Sequence, residues 1–222
     1  MRYLQRAWVG VLLFCIAAGA AGQGAANENL STNARFLLAA RNADEAALKR
    51  ELANGADVHS RNRLGESALI ILLKKDRVDL AALVLDAGAD VNQPALNGIT
   101  PLMAAAYGGQ NDMVKRLLAK GAKADPVDRL QKSAMTYAAG EGRTEVVKTL
   151  LAAGVDPNTV YHNDLTALMW ASGFGKNDTV RVLLAAGADP ARKDNRGKTA
   201  ADMARDQGFT ETAALLAGGK AQ

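Results

Sequence analysis

Histidine and serine side chains are the first candidates for catalysis or metal binding in this chain of 222 residues. Its two histidines, His59 and His162, are of a type that binds metals or acts as a general base. They lie about three repeats apart in the period described below, which is too far to share one metal ion. No serine stands in a Ser–His–Asp grouping that would indicate a nucleophile. The sequence therefore predicts no catalytic residue and no metal site.

Cysteine content and net charge exclude further classes of protein. Cys15 is the only cysteine, and it lies in an N-terminal segment that we expect to be removed. The remaining chain then forms no disulfide and offers no thiol nucleophile. Without Arg2 and Arg6, the 27 basic residues fall to 25 against 23 acidic ones, a net charge of +2. That charge is too weak to predict nucleic-acid binding.

Two glycine pairs, Gly108-Gly109 and Gly218-Gly219, could suggest phosphate-binding loops. Neither pair follows a strand and leads into a Lys-Ser or Lys-Thr pair, so we interpret both as turns. Ser67 and Ser133 are better explained as helix caps than as nucleophiles, because they recur at a fixed step. No cofactor is predicted.

A fixed period organises the chain after its N-terminus. It is visible at three independent positions: glycines expected to end helices, turn positions, and hydroxyl residues two positions after each turn. In steps of 33, these are Gly55, Gly88, Gly121, Gly154 and Gly187; Gly65, Gly98, Gln131, Asp164 and Gly197; and Ser67, Thr100, Ser133, Thr166 and Thr199. A fixed period of this length indicates a repeat architecture.

Each repeat reads as a turn, a short helix, a tight loop and a second short helix. The hydroxyl residues stand where they can cap the first helix, and Pro101 follows at a first helical position, where its missing N–H is tolerated. Asn111, Thr144, Asn177 and Thr210 are predicted to cap second helices. The final glycines suit a left-handed backbone. Helices this short are marginal alone, so each repeat must bury its apolar faces against its neighbours.

The residues also carry a family resemblance. The run Gly98–Ala106, G-I-T-P-L-M-A-A-A, resembles the G-x-T-P-L-H-x-A-A run of ankyrin repeats. The stretch Gly142–Gly154 resembles that family's second helix and its glycine stop. Met103, Thr136 and Met169 stand where the family has histidine, which should weaken hydrogen bonding between repeats without abolishing the fold. The resemblance implies an all-α repeat solenoid of helix-turn-helix units, with a β-hairpin or turn once in every period.

The N-terminus belongs to a different class of segment. Arg2 and Arg6 precede an apolar run from Ala7 to Ala18, and Ala18-Gly19-Ala20 is a small-x-small cleavage site. This pattern is typical of a secretory signal peptide. The run is short for a transmembrane helix, which needs about 20 apolar residues. An uncleaved anchor is the alternative.

The expected domain organisation follows from these patterns. Residues 1–22 are a signal peptide, residues 23–30 an exposed lead, and residues 31–219 a domain of about six repeats including caps. The repeat boundaries are close to 31–60, 61–93, 94–126, 127–159, 160–192 and 193–219. The first repeat lacks the turn and the T-P-L-H-like run, as expected for a cap.

The resemblance also implies a binding surface on the hairpin tips and on the concave side of the first helices, called the inner face below. The protein-binding candidates at matching positions are Arg63, Leu64, Glu66, Lys74, Lys75, Leu96, Asn97, Ile99, Tyr107, Arg129, Leu130, Lys132, Glu141, His162, Asn163, Leu165, Phe174, Asn195, Arg196 and Lys198. The exposed apolar members are expected to be Leu96, Ile99, Tyr107, Leu130, Leu165 and Phe174. A contiguous apolar strip of this kind marks an interaction site. Tyr137 and Trp170, in equivalent positions of adjacent repeats, could form an aromatic platform, but we interpret them as core.

The expected function is therefore a non-catalytic module that binds another protein in the periplasm or after secretion. Basic residues outnumber acidic ones on the inner face by seven to two, which predicts a partner with an acidic surface. We expect a monomer that uses no cofactor and, once the leader is cleaved, has no membrane span. The alternatives are an accessory or inhibitor of an exported enzyme, a weak hydrolase using His162, and an envelope-anchored scaffold.

The leader yields the first prediction. We expect a mature N-terminus at Ala21 or Gln23, because the cleavage site favours small residues. Intact-mass measurement of the protein recovered from the cell envelope fraction decides this. A mass that still includes residues 1–20 would contradict cleavage and support the anchor.

Overall fold

Paired helices make up residues 30–218, the part of the chain that the computed structural model describes. These residues contain twelve α-helices and thus confirm the predicted all-α repeat solenoid. The helices are α1 Thr32–Asn42, α2 Glu45–Ala53, α3 Ala68–Lys74, α4 Val78–Asp86, α5 Pro101–Gly108, α6 Asn111–Ala119, α7 Ala134–Glu141, α8 Thr144–Ala152, α9 Ala167–Gly173, α10 Asn177–Ala185, α11 Ala200–Asp206 and α12 Thr210–Gly218. Odd-numbered helices are the first of each repeat, and even-numbered helices are the second.

Contacts divide the chain into a unit of residues 1–31 and a unit of residues 32–222. Only Leu30 and Ser31 of the first unit are described, so the predicted signal peptide and Cys15 lie outside the described residues. Within residues 30–218, no helix has the length and apolar character needed to cross a bilayer.

Hydroxyl caps start the first helices of repeats two to six, as predicted. The side-chain oxygens of Ser67, Thr100, Ser133, Thr166 and Thr199 each accept a hydrogen bond from the backbone N–H three residues later. The distances are 3.2 to 3.4 Å. Each cap satisfies one of the N–H groups that a helix leaves unpaired at its start. Pro101 occupies a first-turn position of α5, where no backbone donor is needed.

The core lies where first helices of neighbouring repeats pack on one another and on their own second helices. All six residues from Ala68 to Leu73 in α3 are buried, and so are all six from Pro101 to Ala106 in α5. A helix of seven or eight residues that is buried this completely has almost no solvated face. Burying one leucine side chain contributes about 1.5–3 kcal/mol, so neighbouring repeats supply most of the stability of each helix.

A tight turn precedes each first helix of repeats two to six. The N–H at its start donates to the carbonyl four residues later, from Asn62 to Glu66 in repeat two and from Asp194 to Lys198 in repeat six. The five predicted turn positions, Gly65 to Gly197 in steps of 33, all have positive φ. In the described residues the predicted hairpin is reduced to this turn, with one isolated bridge between Arg61 and Ser67.

The predicted caps of the second helices are wrong by one residue. Helices α6, α8 and α10 begin at Asn111, Thr144 and Asn177, and the preceding residues make no side-chain cap bond. The predicted side chains instead link neighbouring second helices. Asn111 accepts from the Thr149 hydroxyl at 2.7 Å, Asn177 accepts from the Thr212 hydroxyl at 2.6 Å, and the hydroxyls of Thr144 and Thr179 are 2.9 Å apart.

Residues with left-handed backbone follow both the first and the second helices of the repeats. The predicted glycines after second helices have φ between 80° and 94°. A second register, at the end of the first helices, runs through residues 43, 76, 109, 142, 175 and 208, and all six have positive φ. Four of these residues are glycine, but the first two are Ala43 and Asp76, with φ of 55° and 57°. Such a residue costs roughly 1–2 kcal/mol when it is not glycine.

Opposite substitutions at these two registers form the second prediction. Gly154→Val should lower the free energy of unfolding by more than ~1 kcal/mol, because φ there is +90°. A methyl group at Gly154 would meet no atom within 4 Å, so this cost is conformational. Ala43→Gly should raise the free energy of unfolding by about 0.5–1 kcal/mol, since relieved strain exceeds the added flexibility of the unfolded chain.

Urea unfolding measures both changes, with Ala153→Val as the matched control. Ala153 is exposed and has φ of −80°, so a side chain there needs no left-handed backbone. The control should shift the free energy of unfolding by less than about 0.5 kcal/mol. An unchanged midpoint for Gly154→Val would show that the register assigned to these glycines is wrong.

Candidate functional site

An aspartate or asparagine side chain shapes three of the hairpin tips. Oδ1 of Asp128 accepts hydrogen bonds from the backbone N–H groups of Leu130 and Lys132, at 2.8 and 2.9 Å. Asn62 and Asp194 make the same pair of bonds in repeats two and six. This use of Asx side chains fixes the turn locally. Recurrence of an Asx residue at this register in alternate repeats was a signal that sequence reasoning missed.

Backbone hydrogen bonds join the tips edge to edge. The Leu96 N–H donates to the Leu64 carbonyl at 2.9 Å, and the Arg129 N–H donates to the Asn97 carbonyl at 2.9 Å. The Asn195 N–H donates to the Asn163 carbonyl at 3.1 Å. The corresponding bond between repeats four and five does not occur among the described residues, because the turn of repeat five is distorted.

The distorted turn contains two left-handed residues in succession. Asn163 and Asp164 have φ of 61° and 59°, and residues His162–Asp164 form a short 3-10 helix. The His162 side chain is exposed there. Asn163 is the additional left-handed residue, since the turns of repeats two, three, four and six have positive φ only at the position equivalent to Asp164.

Exposed leucines follow one another along the tips. Leu64, Leu96 and Leu130 are 64%, 58% and 56% exposed, although large apolar side chains are normally buried. Their backbones belong to the joined tips of repeats two to four, so they lie along one edge of the stack. An apolar row of this kind, rimmed by Arg63 and Arg129, has the character of an interaction surface.

Four aromatic rings and one lysine form a cluster beside these tips, called the aromatic cluster below. It consists of Tyr107, Tyr137, Trp170, Phe174 and Lys132. The rings of Tyr107 and Tyr137 meet edge to face, with centroids 5.9 Å apart, and those of Trp170 and Phe174 are stacked at 6.0 Å with an interplanar angle of 10°. Lys132 Nζ lies 4.5 Å from the Trp170 ring centroid and 5.4 Å from that of Tyr137. Both distances fit cation–π attraction.

A buried carboxylate holds the Tyr137 side chain in place. Its hydroxyl donates to Oδ2 of Asp128 at 2.5 Å, and Asp128 is 4% exposed. Burial, followed by this hydrogen bond, raises the pKa of the Tyr137 hydroxyl, which therefore remains a donor across the physiological range. The interpretation of Tyr137 as core is correct, since the residue is 6% exposed, whereas Trp170 is only half-buried and belongs to the surface.

Most predicted inner-face residues are exposed, with one clear exception. Ile99 is buried at 4% exposure, so the expectation of an exposed side chain is wrong. Its neighbour Thr100 caps α5, and the Ile99 side chain fills the core under that tip. Leu165 and Phe174 are half-buried rather than exposed. The partly buried candidates are Glu66, Lys132, Leu165, Phe174 and Lys198, and the fourteen others are exposed.

Ion pairs reduce the positive charge of the inner face. Lys74 Nζ lies 2.7 Å from Glu66, and Arg196 lies 2.7 Å from Asp194. Lys198 pairs with Asp206. Because Asp194 and Asp206 share the face with their partners, the seven basic residues stand against four acidic ones rather than two. Four basic candidates make no ion pair with any described residue: Arg63, Lys75, Arg129 and Lys132.

A search of the described residues finds no group of three histidine, cysteine, aspartate or glutamate side chains that could hold a metal ion. The exposed His162 makes no side-chain hydrogen bond within that region. The features that the residues of the inner face share are exposed apolar groups, rings and unpaired cations.

Comparison with known proteins places this architecture in a family. The family model for ankyrin repeats (3 copies) matches residues 36–128, 78–161 and 135–222, which together cover most of the chain. This chain belongs to the ankyrin-repeat family. Proteins of this family are generally non-catalytic interaction modules, as the resemblance implied.

Two curated relatives share part of the ankyrin repeats. The inactive serine/threonine-protein kinase TEX14 of Mus musculus is 35% identical over 74 residues, which are 33% of this chain and 5% of that protein. The ankyrin repeat and KH domain-containing protein 1 of Homo sapiens is 39% identical over 72 residues, which are 32% of this chain and 3% of that protein. The similarity spans about one-twentieth or less of each relative, so it concerns the repeats alone.

The Tyr137 anchor yields the third prediction. Tyr137→Phe removes the only side-chain donor to Asp128 Oδ2 among the described residues and leaves a buried carboxylate oxygen unsatisfied. The free energy of unfolding should fall by about 1–3 kcal/mol. Urea unfolding followed by circular dichroism measures it. A variant as stable as the parent would show that the bond contributes nothing to the tip of repeat four.

Proposed function

We propose that this ankyrin-repeat protein binds one partner protein through its inner face and performs no catalysis. The exposed leucines of the tips and the aromatic cluster form the supporting observation, because they put apolar groups, rings and cations on one side of the first helices. Aromatic anchors inside a polar rim are the usual source of affinity at protein interfaces. Rigid first helices present these anchors already ordered, which reduces the entropy lost on binding.

The proposed setting is the periplasm or the extracellular space. The support for it is the leader pattern of residues 1–22, with its basic start, its apolar run and its small-residue cleavage site. The chain would act there as a monomer. After cleavage it would contain no cysteine, which suits an oxidising compartment, since no wrong disulfide can form.

Arg63 and Arg129 have a separate role in this proposal. They are exposed at the tips of repeats two and four and make no ion pair with other described residues, so they attract a partner with an acidic rim. Charges at a rim mainly raise the rate of association, while buried rings lengthen the life of the complex. The two groups therefore affect different kinetic constants.

The fourth prediction tests the anchors. The full chain is exported from a Gram-negative host, immobilised, and used to capture partners from periplasmic extract, with Tyr107→Ala and Phe174→Ala as variants. Each substitution should weaken binding by ~1–3 kcal/mol, mainly through faster dissociation, if its ring is a hot spot. Leu118→Ala is the matched control, because Leu118 is a half-buried apolar residue on a second helix. It should bind like the parent.

Binding kinetics at two ionic strengths test the cations with the captured partner. Arg63→Glu combined with Arg129→Glu should lower the association rate, and the effect should fade at high salt. Lys115→Glu combined with Lys148→Glu makes the same charge change on exposed residues of second helices and should leave the rate nearly unchanged. Capture that survives all inner-face variants and is lost with the second-helix variants would place the interface elsewhere.

A further inference from the structure

Two positions of the inner face, eight residues apart in the sequence, recur in each of repeats two to six. The first is the tip residue just before the helix cap, and the second is near the end of the first helix. In repeat two the pair is Glu66 and Lys74, joined at 2.7 Å, and in repeat six it is Lys198 and Asp206, which also form an ion pair. Repeats three and five have no charge at these positions. In repeats two and six, the two that carry charges there, each charge is met by its opposite.

Repeat four differs from repeats two and six, because it carries a charge at only one position of the pair. The pair there is Lys132 and Gly140. Gly140 is equivalent to Asp206, which pairs with Lys198 in repeat six, but glycine has no side chain that could pair with Lys132. Within residues 30–218, no carboxylate lies at ion-pair distance from Lys132 Nζ, and the ammonium group instead faces the rings of Tyr137 and Trp170. Ring faces attract the cation but leave its N–H donors without oxygen acceptors.

Two carboxylates in the neighbourhood do not fill this role. Asp128 is engaged by the Tyr137 hydroxyl and by two backbone N–H groups. Glu141 is exposed and forms no ion pair with any described residue. Burial of Lys132 lowers its pKa, even though Asp128 and Glu141 both act in the opposite direction. The lysine therefore carries a charge that is only incompletely compensated.

Gly140 leaves room for a side-chain carbon beside the rings of Trp170 and Phe174. A methyl group placed at Gly140 would lie 3.6 Å from Trp170 and 3.7 Å from Phe174, which is ordinary contact without a clash. The two stacked rings thus form one wall beside Gly140, and Lys132 lies against the Trp170 ring. The space is bounded by apolar rings and a single half-buried cation.

We propose that the partner protein places one aspartate or glutamate side chain over Gly140, where its carboxylate pairs with Lys132. This inference rests on the proposed function, because the partner's chain is the source of the carboxylate. An ion pair against rings is less exposed to water than one at the rim, so its charge-assisted hydrogen bonds are stronger and more selective. Apolar groups beside the acidic residue pack on Trp170 and Phe174. The partner's carboxylate would thus do for Lys132 what Asp206 does for Lys198 in repeat six.

The fifth prediction uses Gly140→Asp to supply that carboxylate within the chain. Nuclear magnetic resonance of the Lys132 side chain, followed through a pH titration, should show a higher pKa for Lys132 in Gly140→Asp than in Gly140→Ala. The alanine variant adds the same Cβ atom without a carboxylate and is the matched control. An equal pKa in the two variants would show that a carboxylate at this position does not reach Lys132, and would overturn the proposal.

Binding is tested with a displayed library of short random peptides selected on the parent protein. Enriched peptides should share an aspartate or glutamate next to an apolar residue. Their affinity should fall at least tenfold for Gly140→Asp and for Lys132→Met, and should change less than twofold for Gly140→Ala. Enriched peptides without an acidic residue, unchanged affinity for Gly140→Asp, or no enrichment on the parent would each overturn the proposal.

The two proposals fail in different ways. If Tyr107→Ala and Phe174→Ala reduce capture of the natural partner while Gly140→Asp does not, the inner face binds protein but Lys132 does not receive a carboxylate. If none of these variants changes capture, the proposed function itself is wrong. Urea unfolding of each variant separates loss of binding from loss of the fold.

Discussion

Burial of the first helices between neighbouring repeats is the interaction on which this structure depends. Helices α3, α5 and α7 have only seven or eight residues, too few to be stable alone. They are held because their apolar residues, together with small alanines such as Ala105 and Ala138, are buried against the helices on either side. The constant period of the sequence follows from this requirement, since each repeat must offer the same packing surface to the next.

A second link between repeats acts at the ends of these helices. The Arg77 guanidinium donates to the Ala43 carbonyl, the Gln110 amide to the Leu73 carbonyl, and the Arg143 guanidinium to the Tyr107 carbonyl, all across one repeat boundary. The carbonyls at a helix end lack partners within the helix, so the following repeat caps the preceding one. A methyl group at Gly109 would lie 2.8 Å from Arg143, and glycine there serves this close approach as well as the left-handed turn.

Periodic features of the fold could be predicted from the sequence, whereas side-chain pairings could not. The hydroxyl caps, the final glycines and the turn positions each depend on a few adjacent residues, and their repetition made the pattern secure. The second-helix caps were misplaced because Asn111 and Asn177 bond to the next repeat rather than to their own helix. Ile99 was expected to be exposed, but it is buried, and the equivalent residues of the other repeats, such as Leu165, are half-buried.

The contacts within the candidate site could be seen only in the three-dimensional structure. The sequence pointed to the inner face and to Tyr107, Lys132 and Phe174, yet it held no sign that Lys132 lies over the rings of Tyr137 and Trp170. It also counted charges without their partners, so Asp194 and Asp206 were left out. Such pairings join residues whose contact depends on the angle of each tip, which no local propensity determines.

The interrupted row of tip hydrogen bonds gives the junction between repeats four and five a mechanical character of its own. This junction has one fewer backbone bond among the described residues than the junctions on either side of it, so bending of the stack towards its tips meets less resistance there than at those two junctions. The rings and the lysine of the aromatic cluster bridge this same junction, since Lys132 precedes it and Trp170 follows it. A molecule that binds on both sides of the junction would restrict its bending. The affinity of that molecule would then depend on the curvature of the stack at this point.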